Sequence, residues 1–177
     1  MKLERNTRET QINLELRPDD AASDIRTGQP FLDHMMTTLS RYSGLGINIE
    51  ARGDLKHHLV EDVAIAVGTA LKDVVPEACT RYGERTIAMD DALVQSVIDV
   101  GGRSYYKGRL PSNLYEHWMR SFAENARVTL HVRVIRGRDR HHIVEAGFKS
   151  LGLALRDALR ETDTVFSTKG AVEMRSN

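Results

Sequence analysis

The feature that most constrains this chain is a histidine pattern that occurs twice. Six of its seven histidines form two copies of one arrangement, a lone histidine followed by a His–His pair and a glutamate. They are His34, His57, His58 and Glu61 in the first copy, and His117, His141, His142 and Glu145 in the second. The lone histidine recurs after 83 positions and the other residues after 84. Imidazoles and carboxylates bind mid-row divalent metals, so the pattern predicts metal binding in a duplicated chain.

The secondary-structure pattern repeats with the histidines. Residues 10–17 and 93–100 alternate as half-buried strands do, and helical patterns follow at 31–43 and at 111–125, where Pro111 suits a first turn. Strands are predicted at 46–52 and 127–136, and a longer helix opens at each His–His pair. The apolar stripes of these helices are in register: Val60, Ala64, Val67 and Leu71, then Val144, Phe148, Leu151 and Leu155. We therefore expect one compact unit of two similar halves, 1–83 and 84–177.

Composition excludes several classes of protein. Lys+Arg and Asp+Glu are equal at 25 each, so bulk charge predicts neither nucleic-acid nor membrane binding. The sequence contains no apolar run long enough for a bilayer span, and the charged N-terminus is unlike a signal peptide. The single cysteine, Cys79, excludes an intrachain disulfide, and a reduced cytoplasmic setting is expected. We interpret Cys79, Trp118 and His131 as packing or structural residues.

Helical geometry divides each copy of the pattern between two metal ions. In HHLVE (57–61) and HHIVE (141–145) the first histidine and the glutamate are i and i+4, so they share a helix face and can bind one ion. The second histidine is turned roughly 100° away and serves another ion. If the halves exchange second histidines, one set is His57, Glu61, His142 and a lone histidine, and the other is His141, Glu145, His58 and the other lone histidine. The spacing leaves open which lone histidine joins which set, and whether the halves meet within one chain or between subunits.

The predicted ligand set favours catalysis. Three imidazoles and one carboxylate leave open positions on a six-coordinate ion, and they suit Mn, Fe, Co, Ni or Zn better than Ca or Mg. Basic residues outside the ligand sets are candidates to hold an anionic substrate: Arg81, Arg103, Lys149 and Lys169. Two other classes also fit such a site, a dinuclear metallohydrolase of phosphorylated small molecules and a non-enzymatic metal-binding shell protein.

Eight segments carry a resemblance to a known family. FLDHMM, HHLVED, RYG, GGRSYY, EHWMRSFAENA, TLHVRVIRG, HHIVEAGFKS and STKG occur in this order from about Arg8 to Gly170 and resemble imidazoleglycerol-phosphate dehydratase. The resemblance implies a carbon–oxygen lyase of L-histidine biosynthesis that dehydrates D-erythro-imidazole-glycerol phosphate to imidazole-acetol phosphate. It implies two Mn²⁺ ions per active site, with the substrate ring held between them as imidazolate. The implied fold is α+β, with two ββαβα-type halves whose mixed four-stranded sheets flank a four-helix layer, as in the second domain of ribosomal protein S5.

The resemblance also implies roles for individual residues. One metal takes His34, His58, His141 and Glu145, and the other takes His57, Glu61, His117 and His142. The substrate-binding residues are Glu9, His34, Arg81, Arg103, Lys149, Ser167, Thr168 and Lys169, and the candidate proton carriers are Glu9, Glu61 and Glu145. Family members form homo-oligomers of 24 subunits built from trimers, with their sites between subunits.

Three departures from the family pattern stand near these residues. The family usually reads HIDDHH before its first glutamate, whereas GDLKHHLVED is shorter here and lacks the paired aspartates. Asp139–Arg140 replaces the usual asparagine before the second histidine pair, and Phe166 replaces the usual proline before STKG. All eight predicted metal ligands are nevertheless present.

Overall fold

The computed structural model describes residues 1–18, 20 and 22–165. Each half contains three strands, a short helix, a fourth strand and a long helix, which is one strand more before the first helix than the ββαβα pattern. The first half contains β1 (Lys2–Asn6), β2 (Thr10–Arg17), β3 (Asp24–Arg26), α1 (Pro30–Ser43), β4 (Gly46–Gly53) and α2 (Lys56–Val74). The second contains β5 (Tyr82–Met89), β6 (Ala92–Asp99), β7 (Tyr105–Gly108), α3 (Asn113–Ala126), β8 (Thr129–Arg136) and α4 (Arg140–Ala158).

The two sheets share one topology. Their strand orders are β1-β2-β4-β3 and β5-β6-β8-β7, and in each sheet only the last pair is parallel. In each sheet a short helix connects the two parallel strands, because parallel strands require a crossover connection. The predicted α+β duplication with mixed four-stranded sheets and four helices is confirmed.

Helix packing joins the halves crosswise. The long helices α2 and α4 each cover the sheet of their own half, whereas short α1 packs on α4 and short α3 packs on α2. Aromatic rings fill the helix layer: Trp118 of α3 lies 4.6 Å from Phe148 of α4, and Tyr115 of α3 lies 5.0 Å from Phe31 of α1 (ring centroids). One continuous core therefore crosses the duplication, and it includes the buried Cys79 and Trp118. His131 lies exposed on β8, with its ring 5.6 Å from that of Tyr105.

Two helix starts differ from the simplest expectation. α3 begins at Asn113, after Pro111, and the Ser112 side chain makes no capping hydrogen bond. α4 begins at Arg140, where the Asp139 carboxylate accepts hydrogen bonds from the amides of His141 and His142. Asp139, which departs from the family pattern, therefore acts as the N-cap of α4.

Two further features bear on organisation. The predicted division between residues 83 and 84 falls inside β5, which begins at Tyr82. Among the residues that the structure describes, no helix has the length and apolar character needed to cross a membrane.

Candidate metal centre and active site

The helix pair α1–α4 brings together His34, His141 and Glu145, which we call the first cluster. The Nε2 atoms of His34 and His141 each lie 3.0 Å from Glu145 Oε2. One ligand atom from each residue lies within 4.8 Å of the other two, a spacing that a single metal ion can bridge. The first cluster combines the lone histidine of the first half with the long helix of the second.

The helix pair α2–α3 brings together His57, Glu61 and His117, which we call the second cluster. His117 Nε2 lies 3.2 Å from Glu61 Oε1, and His57 Nε2 lies 3.7 Å from Glu61 Oε2. These ligand atoms also lie within 4.8 Å of one another. The lone histidine here comes from the second half, so the halves exchange their lone histidines inside one chain.

An acidic residue beside each lone histidine fixes the start of its short helix. The Asp33 carboxylate accepts hydrogen bonds from the Thr27 amide at 2.8 Å and its hydroxyl at 2.6 Å. The Glu116 carboxylate accepts them from the Leu110 amide at 2.8 Å and the Tyr106 hydroxyl at 2.9 Å. Thr27 and Leu110 stand 83 positions apart, the same offset as the lone histidines. The same local arrangement, a carboxylate that accepts hydrogen bonds from the segment before the helix, therefore positions both lone histidines.

Glu145 is ionised and nearly buried in the first cluster. Burial by itself would raise the pKa of its carboxyl, but hydrogen bonds from Lys149 and His34 outweigh it and hold the pKa below the usual value. Lys149 Nζ lies 2.9 Å from Glu145 Oε1, whereas Oε2 faces the two imidazoles. The glutamate therefore directs a charged oxygen towards the two histidines, where a cation would be favoured.

The second cluster contains an unsatisfied polar atom. His117 Nε2 is buried, and no described residue makes a hydrogen bond with it, although the Glu61 carboxylate is nearby. A buried ring nitrogen without a partner is costly, and a metal ion would satisfy it. The residues present therefore fit a divalent cation, and two imidazoles with one carboxylate suit a mid-row metal.

His58 and His142 lie outside both clusters. His58 Nδ1 is 2.9 Å from Asp54 Oδ1 and 3.6 Å from Glu9 Oε2. His142 Nδ1 is 2.8 Å from Asp91 Oδ1, and its Nε2 is 3.4 Å from Asp90 Oδ2. The hydrogen bonds to Asp54 and Asp91 raise the pKa of His58 and of His142, respectively. One chain thus assembles three members of each predicted four-ligand set.

Comparison with known proteins decides the family. A model of the imidazoleglycerol-phosphate dehydratase (IGPD) family matches residues 27–155. The chain belongs to the imidazoleglycerol-phosphate dehydratase family. The dehydratase of Pyrobaculum calidifontis is 43% identical over 189 residues, which cover 98% of this chain and 100% of that protein. The dehydratase of Staphylococcus aureus strain MRSA252 is 40% identical, over 96% of this chain and 97% of that protein.

Solved structures of the dehydratase family share the fold. The crystal structure of IGPD from Pyrococcus furiosus in complex with (S)-C348 superposes with a TM-score of 0.87 at 38% identity, covering 96% of this chain and 100% of that one. The Staphylococcus aureus N315 dehydratase superposes with a TM-score of 0.84 at 37% identity, covering 91% and 98%. The family resemblance predicted from the sequence is confirmed, and the chain is an enzyme of the hydro-lyase class.

The predicted substrate-binding residues of this dehydratase family member lie in different places. Lys149 adjoins the first cluster and Glu9 lies beside His58. Arg81 pairs with Asp99 at 2.7 Å, and its amide donates to the Ala158 carbonyl at the far end of α4 from His141, roughly 25 Å away at 1.5 Å per residue. Arg103 is exposed in the loop after β6. Ser167, Thr168 and Lys169 lie outside the described residues.

Sequence reasoning missed the carboxylates around the ligands. Asp33 and Glu116 each directly precede a lone histidine, and that repeated acid–histidine pair was a detectable signal. Asp54 stands four residues before His58, in the turn just ahead of α2, so this contact is local in the sequence. Asp91 is 51 residues from His142, so only the folded chain reveals its contact.

Proposed function

We propose that this chain dehydrates D-erythro-imidazole-glycerol phosphate to imidazole-acetol phosphate in L-histidine biosynthesis, using two Mn²⁺ ions per active site. The observation that carries the proposal is the pair of His–His–Glu clusters, each built from both halves of the chain. Membership of the dehydratase family supplies the substrate, since relatives of nearly the same length bear that name. Mn²⁺ suits a site that mixes imidazole with carboxylate.

The clusters fit the acid–base demands of this reaction. The substrate must lose the hydroxyl from the carbon bonded to its imidazole ring and a proton from the next carbon, which becomes the ketone carbon of the product, and neither leaves readily in water. Bound divalent ions supply Lewis-acid stabilisation of negative charge on the ring. Glu61 and Glu145 hold these ions in the proposal, so their oxygens are committed as ligands.

Glu9 is then the best-placed of the three candidate proton carriers. Its side chain is 56% exposed and lies beside His58, and it belongs to neither cluster. An accessible carboxylate can accept the substrate's carbon-bound proton on Oε2 and return it to solvent. Proton transfer in this proposal therefore depends on Glu9, with Glu61 and Glu145 as metal ligands.

The fourth ligand of each set comes from another copy of the chain in this proposal. His58 and His142 point away from the clusters of their own chain, as the second residue of an HH pair must on a helix. We assign His58 to the first cluster of a neighbouring subunit and His142 to the second. Arg81 supports this arrangement, because its distance from His141 suits an active site that draws on more than one subunit. A 24-subunit assembly of trimers follows the family.

Phosphate binding is assigned to the basic residues. Lys149 provides a charge beside the first cluster, and Arg81 and Arg103 provide charges near the end of β6. With Ser167, Thr168 and Lys169 they would hold the substrate phosphate and orient the ring towards the metals.

A metal-dependent assay tests this function. The purified full-length protein, stripped of metal and reloaded with Mn²⁺, is incubated with imidazole-glycerol phosphate while the enolisable ketone product is followed by its absorbance in alkali. We expect product only with metal, no activity in His117→Ala, and unchanged activity in the matched histidine variant His131→Ala. Release of inorganic phosphate in place of the ketone would indicate a metallohydrolase, and metal binding without turnover would indicate a non-catalytic shell protein.

A further inference from the structure

We infer that Asp54 and Asp91 are positioning residues that fix the rings of His58 and His142 so that each presents Nε2 to a metal. The inference rests on the proposed function, because it concerns the two histidines assigned to a neighbouring subunit's metals. It adds two carboxylates that belong to neither predicted ligand set.

Asp54 holds His58 from the turn that opens α2. Its Oδ1 lies 2.9 Å from His58 Nδ1 and also accepts the Leu55 amide at 2.6 Å. In this chain Leu55 and Lys56 occupy the segment that carries paired aspartates in the family. Asp54 thus brings a carboxylate to the histidine pair despite the shortened loop.

Asp91 holds His142 from the turn between β5 and β6. Its Oδ1 lies 2.8 Å from His142 Nδ1, while its Oδ2 accepts the amides of Arg138 at 2.6 Å and Asp139 at 3.2 Å. Because both carboxylate oxygens are engaged, the side chain cannot rotate freely. The ring of His142 is therefore tied to the sheet as well as to its own helix.

The two contacts do not arise from the duplication. The position 84 residues after Asp54 is Arg138, and the position 84 residues before Asp91 is Thr7. Each half therefore reaches the same Nδ1–carboxylate contact from a different element. Because two unrelated positions each place a carboxylate at Nδ1, we infer that both histidines require this contact.

The carboxylate determines which ring nitrogen of the histidine can bind a metal. A neutral imidazole carries one N–H, and a carboxylate at Nδ1 keeps the proton there and leaves the Nε2 lone pair for a metal. The four cluster histidines already direct Nε2 at their glutamates. With Asp54 and Asp91 in place, all six ligand histidines present the same nitrogen. The exposed Asp90, 3.4 Å from His142 Nε2, can turn aside when a metal binds.

Mn²⁺ titration of the assembled, full-length protein tests the inference. Isothermal calorimetry with Mn²⁺ alone is applied to wild type, Asp54→Ala, Asp91→Ala, Asp54→Asn and the control Asp73→Ala, which changes an exposed aspartate on the same helix as His58. We expect Mn²⁺ affinity to fall about 10–100-fold in the two alanine variants. We expect wild-type affinity in Asp73→Ala and most of it in Asp54→Asn, whose amide oxygen can still accept the Nδ1–H bond.

The outcomes separate this inference from the function on which it rests. Unchanged affinity in folded Asp54→Ala and Asp91→Ala, with thermal melts like wild type, overturns the positioning role and leaves the metal sites standing. Equal losses in Asp54→Asn and Asp54→Ala also overturn it, because charge rather than the hydrogen bond would then matter. A wild-type protein that binds no Mn²⁺ would contradict the proposed function itself.

Discussion

Gly68 and Gly152 occupy equivalent positions of the two halves, 84 residues apart, and at each one a short helix of the other half comes into backbone contact. A Cβ on Gly68 would lie 2.6 Å from the Phe122 carbonyl oxygen of α3, and one on Gly152 would lie 2.8 Å from Tyr42 Cβ of α1. Each glycine follows its cluster's glutamate by seven residues, or about two turns. The two close crossings therefore set the distance between each lone histidine and its partners.

Gly68→Ala should loosen the second cluster. The added methyl group forces α3 away from α2, with an expected cost of about 1–3 kcal/mol in the free energy of unfolding and weaker binding at the cluster that contains His117. Urea denaturation at a fixed protein concentration and Mn²⁺ titration measure the two effects. Gly147→Ala is the matched control, since its Cβ would lie no nearer than 3.7 Å to Leu110 and alanine is the better helix former. Equal behaviour of the two variants would contradict the role of the crossing.

Metal stoichiometry should reveal which ligands act together. If His58 and Glu145 serve one ion, the His58→Ala/Glu145→Ala double variant loses the same half of the bound Mn²⁺ as either single variant. The His58→Ala/Glu61→Ala double variant removes a ligand from each set and should lose nearly all of it. Elemental analysis after dialysis measures the Mn²⁺ bound to each double variant. Size-exclusion chromatography checks that the variants keep the wild-type assembly. Loss of all Mn²⁺ from the first double variant would show that His58 and Glu145 bind different ions.

Much of this architecture could be predicted from the sequence because the strongest signals are local. Periodicity over eight residues or more marks the apolar stripes of α2 and α4 and the alternation of β2 and β6. The sequence therefore predicted these four elements, and the structure contains them. The short strands β3 and β7, of three and four residues, are too brief to show alternation. The charged strands β1 and β5 lack a clear apolar face.

The contacts of the candidate site could likewise be predicted where they are local and could not be predicted where they depend on packing. Spacing within one helix placed His57 with Glu61 and His141 with Glu145, because i and i+4 share a face. Which lone histidine joins each pair depends on helix packing, and only the crossed contacts of α1 with α4 and of α3 with α2 answer it. The contact of Asp91 with His142 likewise depends on how a distant turn folds over the start of α4.

Mn²⁺ affinity should fall in acid because ligand imidazoles must be neutral. The hydrogen bond to Asp54 raises the pKa of His58 and the hydrogen bond to Asp91 raises that of His142, so in the metal-free protein these rings keep a proton to higher pH than an ordinary histidine. A proton bound to the free protein competes with the metal, so affinity is full above these pKa values and is lost as pH falls through them. We expect more than a tenfold decrease between about pH 7 and pH 5. Calorimetric titrations across this range measure it, and flat affinity down to pH 5 would require ligands other than histidine.

A polar chain links the loop that carries Glu9 to α2. The Asp62 carboxylate, nearly buried, accepts hydrogen bonds from Arg5 Nη2 at 2.7 Å and from the Thr10 hydroxyl. The Thr7 hydroxyl lies 3.1 Å from that of Thr10 and accepts the Glu9 amide at 3.1 Å. Asp62 therefore anchors the turn from which Glu9 projects.

Asp62→Ala should consequently destabilise the protein and displace Glu9. Removing the carboxylate leaves Arg5 partly buried without its counter-ion; because the Arg5 side chain is about one-third exposed, we expect a loss of about 2 kcal/mol in unfolding free energy rather than the larger cost of a fully buried charge. Lys2→Ala is the control, since its contact with Glu15 is long and exposed and its loss should cost under about 0.5 kcal/mol. Urea denaturation at one protein concentration compares the two. Because the metal clusters do not use Asp62, Mn²⁺ stoichiometry should remain at the wild-type value while turnover falls, and intact turnover in the folded variant would show that Glu9 needs no such anchor.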